Sequence, residues 1–122
     1  MEFTPSSSIK TLSNPGVDSR QLLNPENSTS KRVTLTEVTV APGASQPRHS
    51  HDASEQIWIC TKGKGMLLLA DEKEKEFNAG DVVRFEDKDI HGIRNDSNLP
   101  LTYISATCPP IDFSYANRDK KK

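Results

Sequence analysis

The chain has 122 residues, with Lys+Arg 16 against Asp+Glu 17 and a formal charge of −1 at pH 7. That length suits one domain able to bury a core without staples, and the balanced charge excludes the basic footprint of a protein that binds nucleic acid or an anionic membrane. No apolar stretch approaches the ~20 residues that span a bilayer, no signal-peptide pattern opens the chain, and Cys60 and Cys108 are too few for a disulfide framework, so the expectation is a cytoplasmic protein with buried free thiols.

Residues 1–30 hold only seven hydrophobic residues and carry breakers at Asn14-Pro15-Gly16 and Asn24-Pro25. They read as a polar arm in which residues 19–23 form a short edge strand, docked on its own domain or on a second subunit. The domain proper is expected over 31–110. A strand is predicted over 32–40, ended by Ala41-Pro42-Gly43, and a second over 56–61, ended by Lys62-Gly63-Lys64-Gly65. Further strands follow over 66–70, 75–77, 82–85, 90–94 and 101–107, separated by segments rich in Gly, Pro, Asn and Asp that supply turn angles. Residues 111–122 read as a polar charged tail. No long apolar period of 3.6 residues occurs, so the fold class is all-β, with strands spaced as in a sandwich or barrel.

The chain has three histidines. Residues i and i+2 of a strand share a face with Cα atoms ~6.6 Å apart, so His49 and His51 can aim both rings at one point while Ser50 faces away. Asp52-Ala53-Ser54 lets the chain turn before Glu55 enters the next strand. If Glu55 faces inward, so do Ile57 and Ile59, and a carboxylate then sits at the end of an apolar interior, at a cost that a metal ion removes. Further on, His91 falls into an inward series with Ile93 and Asn95. Taken singly, an H-x-H is most often two surface histidines, Glu55 a solvated residue and His91 a satisfied core histidine. The metal reading gains because all four fall at strand positions compatible with one cluster. The same phase argument puts Trp58 outside the sheet, under the arm or a partner subunit, and makes Asn95 a hydrogen-bonding residue at a strand end. Ile57, Ile59, Met66, Leu68, Phe85, Ile93 and Tyr103 are the candidate pocket walls.

These residues resemble the two motifs of the cupins. The first is a glycine, five residues, H-x-H, three or four residues, a glutamate and a glycine about six or seven residues on; Gly43, His49, His51, Glu55 and Gly63 follow it. The second is a glycine, five residues, Pro-x-Gly, two residues, a histidine, three residues and an asparagine. Gly80, His91 and Asn95 match its spacing, with Glu86 where proline is usual and Lys88 where glycine is usual, which makes the turn before His91 less preorganised. The resemblance implies a small jelly-roll β-barrel of two antiparallel sheets. It also implies one divalent transition metal held by His49, His51, Glu55 and His91, a mixed N/O set suited to Fe, Mn, Ni, Co, Cu or Zn. The expected function is a small-molecule metalloenzyme, dioxygenase-like or isomerase/lyase-like, with the metal carrying the chemistry. The alternatives are a barrel that binds or senses a metal or small ligand without turnover, and a structural dimer with a residual site. A homodimer is expected to form through residues 19–23 and the face around Trp58.

Overall fold

The computed structural model describes residues 1–111; the polar stretch 112–122, expected as a tail, lies outside the described residues. Ten strands run in order through these residues: β1 (Thr11–Asn14), β2 (Val17–Leu23), β3 (Thr34–Val40), β4 (Ser45–His49), β5 (Glu55–Lys62), β6 (Lys64–Leu69), β7 (Glu74–Asn78), β8 (Val82–Phe85), β9 (His91–Arg94) and β10 (Leu101–Cys108). They form a six-stranded sheet, β1-β2-β3-β10-β5-β8, and a four-stranded sheet, β4-β9-β6-β7. Every pairing is antiparallel, as in the expected jelly-roll barrel.

Alternation along the strands sorts side chains to the two faces. In β10, Leu101, Tyr103, Ser105 and Thr107 are buried while the residues between them are half-buried. The core between the sheets is made of Val38, Val40, Trp58, Cys60, Leu67, Phe77, Phe85, Ile93, Leu101 and Tyr103, with Val17 added from β2. The N-terminal segment is more ordered than an arm. Its Asn14-Pro15-Gly16 breaker is a hairpin turn, in which Gly16 adopts φ +77° and its carbonyl accepts from Ala41 N–H at 2.8 Å. Residues 19–23 lie in β2, which pairs with β3 of the same chain, while β1 forms the edge. Half-exposed strands at a sheet margin need few apolar residues, which is why the composition read as an arm.

Trp58 is the main correction to the expected phase. It is 2% exposed, stacks on Tyr103 at 4.2 Å between ring centroids and meets Phe85 edge-on at 5.0 Å. Gln56, Trp58 and Cys60 are the buried face of β5, while Ile57 and Ile59 face outward at 38% and 41% exposed. The run Gln56-Ile57-Trp58-Ile59-Cys60 is apolar on both faces, so its alternation does not fix a phase. The indole, with the largest area to remove from water and geometric partners in Tyr103 and Phe85, decides it.

Candidate metal centre

His49 ends β4, His51 follows in the loop before β5, and His91 opens β9, where it is directly paired with His49. The close approach of β4 to β9 depends on Gly92, where a Cβ would meet Gln46 O at 2.7 Å and Pro47 backbone atoms at 2.9 Å. The three rings converge, with centroids 4.4 Å (His49–His91), 5.0 Å (His49–His51) and 5.3 Å (His51–His91) apart. One ring nitrogen from each lies within 4.8 Å of the others.

Backbone carbonyls set two of the tautomers. His49 Nδ1 lies 2.8 Å from Pro47 O and His91 Nδ1 lies 2.9 Å from Asp89 O. Each Nδ1–H therefore donates, and each Nε2 keeps a lone pair, the arrangement of a ligand imidazole held by its outer partner. His91 is 2% exposed and clamped between neutral rings, stacked on Phe85 at 4.4 Å with 12° between planes and edge-on to Trp58 at 5.6 Å. Its Nε2 is the single fully buried side-chain nitrogen or oxygen without a hydrogen-bond partner among the described residues. An orphaned buried acceptor costs about 1–3 kcal/mol, and an ion on that nitrogen would remove the cost, so the residues present fit a metal.

Burial, with smaller contributions from His49 and His51, depresses the His91 pKa to about 4 against the opposing hydrogen bond to Asp89 O. Burial and the neighbouring His49 also push His51 below its ordinary value, opposed by Asp52. Both rings are thus neutral near pH 7, the form that binds metal. The cluster opens to solvent on the His49 side, where that residue is exposed. Beside His51 lies a recess of about 490 Å³ lined by residues 50–54 and 109–111. A larger one, about 870 Å³, contains none of the histidines and lies near Gly63, at the other end of β5.

Glu55 does not join the three histidines. Its Oε2 accepts from Arg84 Nε at 3.0 Å and Nη2 at 2.8 Å on the outer face of the six-stranded sheet, in phase with Ile57 and Ile59. The inward position is Gln56, which sequence reasoning missed. Its Nε2–H donates to Thr107 Oγ1 at 3.0 Å and its Oε1 accepts from Trp58 Nε1–H at 3.1 Å. A signal was available: with four residues after His51 instead of three, the motif lands on Gln56, and six residues then separate it from Gly63.

Of the expected pocket walls, Phe85, Ile93 and Tyr103 face the interior. Ile57 and Ile59 do not, and Met66 and Leu68 are out of phase with Leu67, which pairs with inward Ile93, although Leu68 is itself buried at 7% exposed. Tyr103 donates its hydroxyl hydrogen to Gln46 Oε1, and burial raises its pKa, so it stays protonated. Asn95, wholly buried, donates from Nδ2 to Val40 O and Leu99 O at 2.9 Å each.

The turn expected to be less preorganised is in fact closed by hydrogen bonds, from Glu86 N–H to Asp89 Oδ2 at 2.8 Å and from Asp89 N–H to Glu86 O at 3.0 Å, so that of its two unusual residues only Lys88 carries strain. Lys88 sits at φ +72°, and its N–H donates to His51 O at 2.6 Å, tying the two halves of the cluster together. A side chain in this left-handed region costs about 1–2 kcal/mol, offset in part by the extra freedom glycine has when unfolded. Lys88→Gly is therefore expected to stabilise the protein by roughly 1 kcal/mol and raise the melting temperature by roughly 3–5 °C. Glu86→Pro should destabilise it, because Glu86 N–H donates to Asp89 Oδ2 at 2.8 Å. Thermal melts of the two single variants check this, and a Lys88→Gly melt at or below wild type would refute the strain.

Residues 36–107 match the family described as Cupin domain. An uncharacterised protein of Methanocaldococcus jannaschii is 33% identical over 91 residues, covering 75% of this chain and 72% of that protein. Among solved structures, the polyketide cyclase RemF from Streptomyces resistomycificus superposes with a TM-score of 0.76 at 22% identity, covering 90% of this chain and 80% of its own. A predicted oxalate decarboxylase from Thermotoga maritima gives 0.73 at 24% identity, covering 88% and 99%. At these identities the structures are likenesses of fold.

Proposed function

The chain belongs to the cupin family, and on that footing we propose that it is a metalloenzyme acting on a small molecule, with one divalent transition-metal ion held by His49, His51 and His91. The observation that carries this reading is the convergence of all three histidines of the chain on one point, with the buried Nε2 of His91 left without a hydrogen bond. Such an ion, when bound, supplies Lewis acidity to an oxygen-bearing substrate. The chain's own residues supply the setting. Asp89 O and Pro47 O orient two imidazoles. Phe85 and Trp58 close the inner side of His91 against water. The exposed side at His49 and the recess beside His51 give a small molecule access. Fold neighbours described as a polyketide cyclase and a predicted oxalate decarboxylase support small-molecule chemistry, and the reaction we propose is dioxygenase-like or isomerase/lyase-like. Of Fe, Mn, Ni, Co, Cu and Zn, a set of three imidazoles without Glu55 suits Fe, Ni, Cu and Zn best, since Mn prefers oxygen donors.

Turnover of a metabolite pool by chelated protein reloaded with each metal in turn tests the reading. Metal-dependent consumption of one component is expected. Stable binding of metal and a small ligand without turnover would make the protein a binding or sensing barrel instead. Balanced charge favours a small molecule over nucleic acid as the partner. Two free cysteines suit the reducing cytoplasm.

The homodimer we propose uses a different face from the one expected around Trp58. On the outside of the six-stranded sheet, Leu35, Ala106 and Ile57 form one cross-strand row, and Ile104, Ile59 and Val82 the next. Val82 is 62% exposed. The flanking charges are already paired, Arg20 with Glu37 and Arg84 with Glu55, so two identical copies can meet face to face without like-charge repulsion. Light scattering should give a dimer for the wild type and a monomer for Ile59→Lys. A monomeric wild type would remove the proposal.

A further inference from the structure

An H-x-H motif with an inward acid places one negative charge against a bound ion, whereas the set assembled here places none. Glu55 is held on the outer face by two hydrogen bonds from Arg84. The inward neighbour is Gln56, 8% exposed and neutral, with its carbonyl engaged by Trp58 and its amide by Thr107. Gln56 is paired across the sheet with Phe85, the ring that stacks on His91, so it belongs to the same interior wall. That wall carries the rings of Trp58 and Phe85 together with the uncharged hydroxyls of Ser105 and Thr107. Among the described residues, the acids that act on the rings, Asp52 and Asp89, are exposed in loops, and Asp89 Oδ2 already accepts from Glu86 N–H. Charge that no buried carboxylate offsets, beside a wall of low polarity, draws counter-charge strongly.

We infer that Gln56 makes this a charge-neutral donor set, so that the ligand it selects is a small organic anion with an oxygen donor, such as a carboxylate or an enolate, whose charge completes the ion's neutralisation. The inference rests on the metal reading above and goes beyond it by fixing the charge of the substrate. The recess beside His51, about 490 Å³, is of a size for a small acid, and exposed Asp52 is the one acidic residue among the described residues that line it.

The full chain, chelated and reloaded with Co²⁺, provides the test through its visible absorption. One Co²⁺ per chain is expected; no binding would overturn the metal reading, and this inference with it. On the Co²⁺-loaded wild type, acetate should perturb the spectrum at a concentration at least about tenfold below that needed for acetamide, its neutral isostere. Equal response to the two would overturn the inference while leaving the metal reading intact. Glu55→Gln should leave Co²⁺ affinity unchanged, and a loss of about tenfold or more would put a carboxylate back on the ion and refute the neutral set. Gln56→Glu should hold Co²⁺ about tenfold more tightly and acetate about tenfold less, and an unchanged acetate affinity in a folded variant would count against the role given to Gln56. If that variant does not fold, the comparison of acetate with acetamide on the wild type decides.

Discussion

Replacing either His51 or His91 by alanine is expected to weaken divalent metal binding by more than about 100-fold, the upper end of what loss of a supporting partner alone costs a metal site. The three nitrogens lie within 4.8 Å of one another, and removing one leaves two imidazoles that cannot enclose an ion. His51→Ala is the cleaner variant, because His51 is only half-buried, whereas His91→Ala also opens space between Phe85 and Trp58. Asp52→Ala, which alters an exposed neighbour, should change affinity little. Metal content after chelation and reloading, with melting curves as a folding control, checks all three. Wild-type stoichiometry and affinity in both histidine variants would remove the site and the enzyme reading together.

The histidines were legible in the sequence because their positions depend on little beyond spacing. His49 and His51 are two residues apart, and His91 follows a turn marked by Glu86–Asp89, so their convergence needed only the right strands to pair. Glu55 was misread for a reason that lies in β5. The chain leaves β4 at His49 and re-enters as β5 after a short loop that holds His51, and each residue after His51 in that loop reverses the inward parity. Three residues point to Glu55 and four to Gln56, and local sequence does not choose between them. The choice is made by packing of the indole against Tyr103 and Phe85, contacts from β10 and β8 that no local window contains. The same reversal carried Ile57 and Ile59 from the expected pocket to the outer face. The N-terminal strands were hidden differently, since a margin strand with one solvated face carries too few apolar residues to announce itself.

Metal-free protein is expected to lose about 2 kcal/mol of stability between pH 7 and pH 5. His91 ionises near 6.5 when unfolded and near 4 in the fold, chiefly because burial disfavours the charged ring. The folded state therefore binds fewer protons, so stability is full above the unfolded value, falls as pH drops through 6.5, and levels off below about 4. At 1.36 kcal/mol per pKa unit, the whole span comes to roughly 3 kcal/mol. His51 shifts in the same direction and adds to the slope. Urea unfolding of chelated protein at pH 7 and pH 5 measures the loss, in a window above the ordinary carboxylate range. His91→Gln should flatten most of the slope, and a wild type equally stable at both values would show that the ring is not held neutral.

The place of β10 between β3 and β5 also bears on the order in which the chain can fold. Until residues 101–108 are in position, the six-stranded sheet exists as two unjoined pieces, β1-β2-β3 and β5-β8, with no hydrogen bonds between them. The register pairs Leu101 with Val40 and Tyr103 with both Val38 and Cys60, so a long intervening segment must be closed before those pairings yield any return. Both pieces meanwhile present open strand edges, the geometry that invites pairing with a neighbouring chain. Insertion of β10 joins the two halves and covers both edges in one step, which makes the last strand of the ten the one that commits the barrel to its native form.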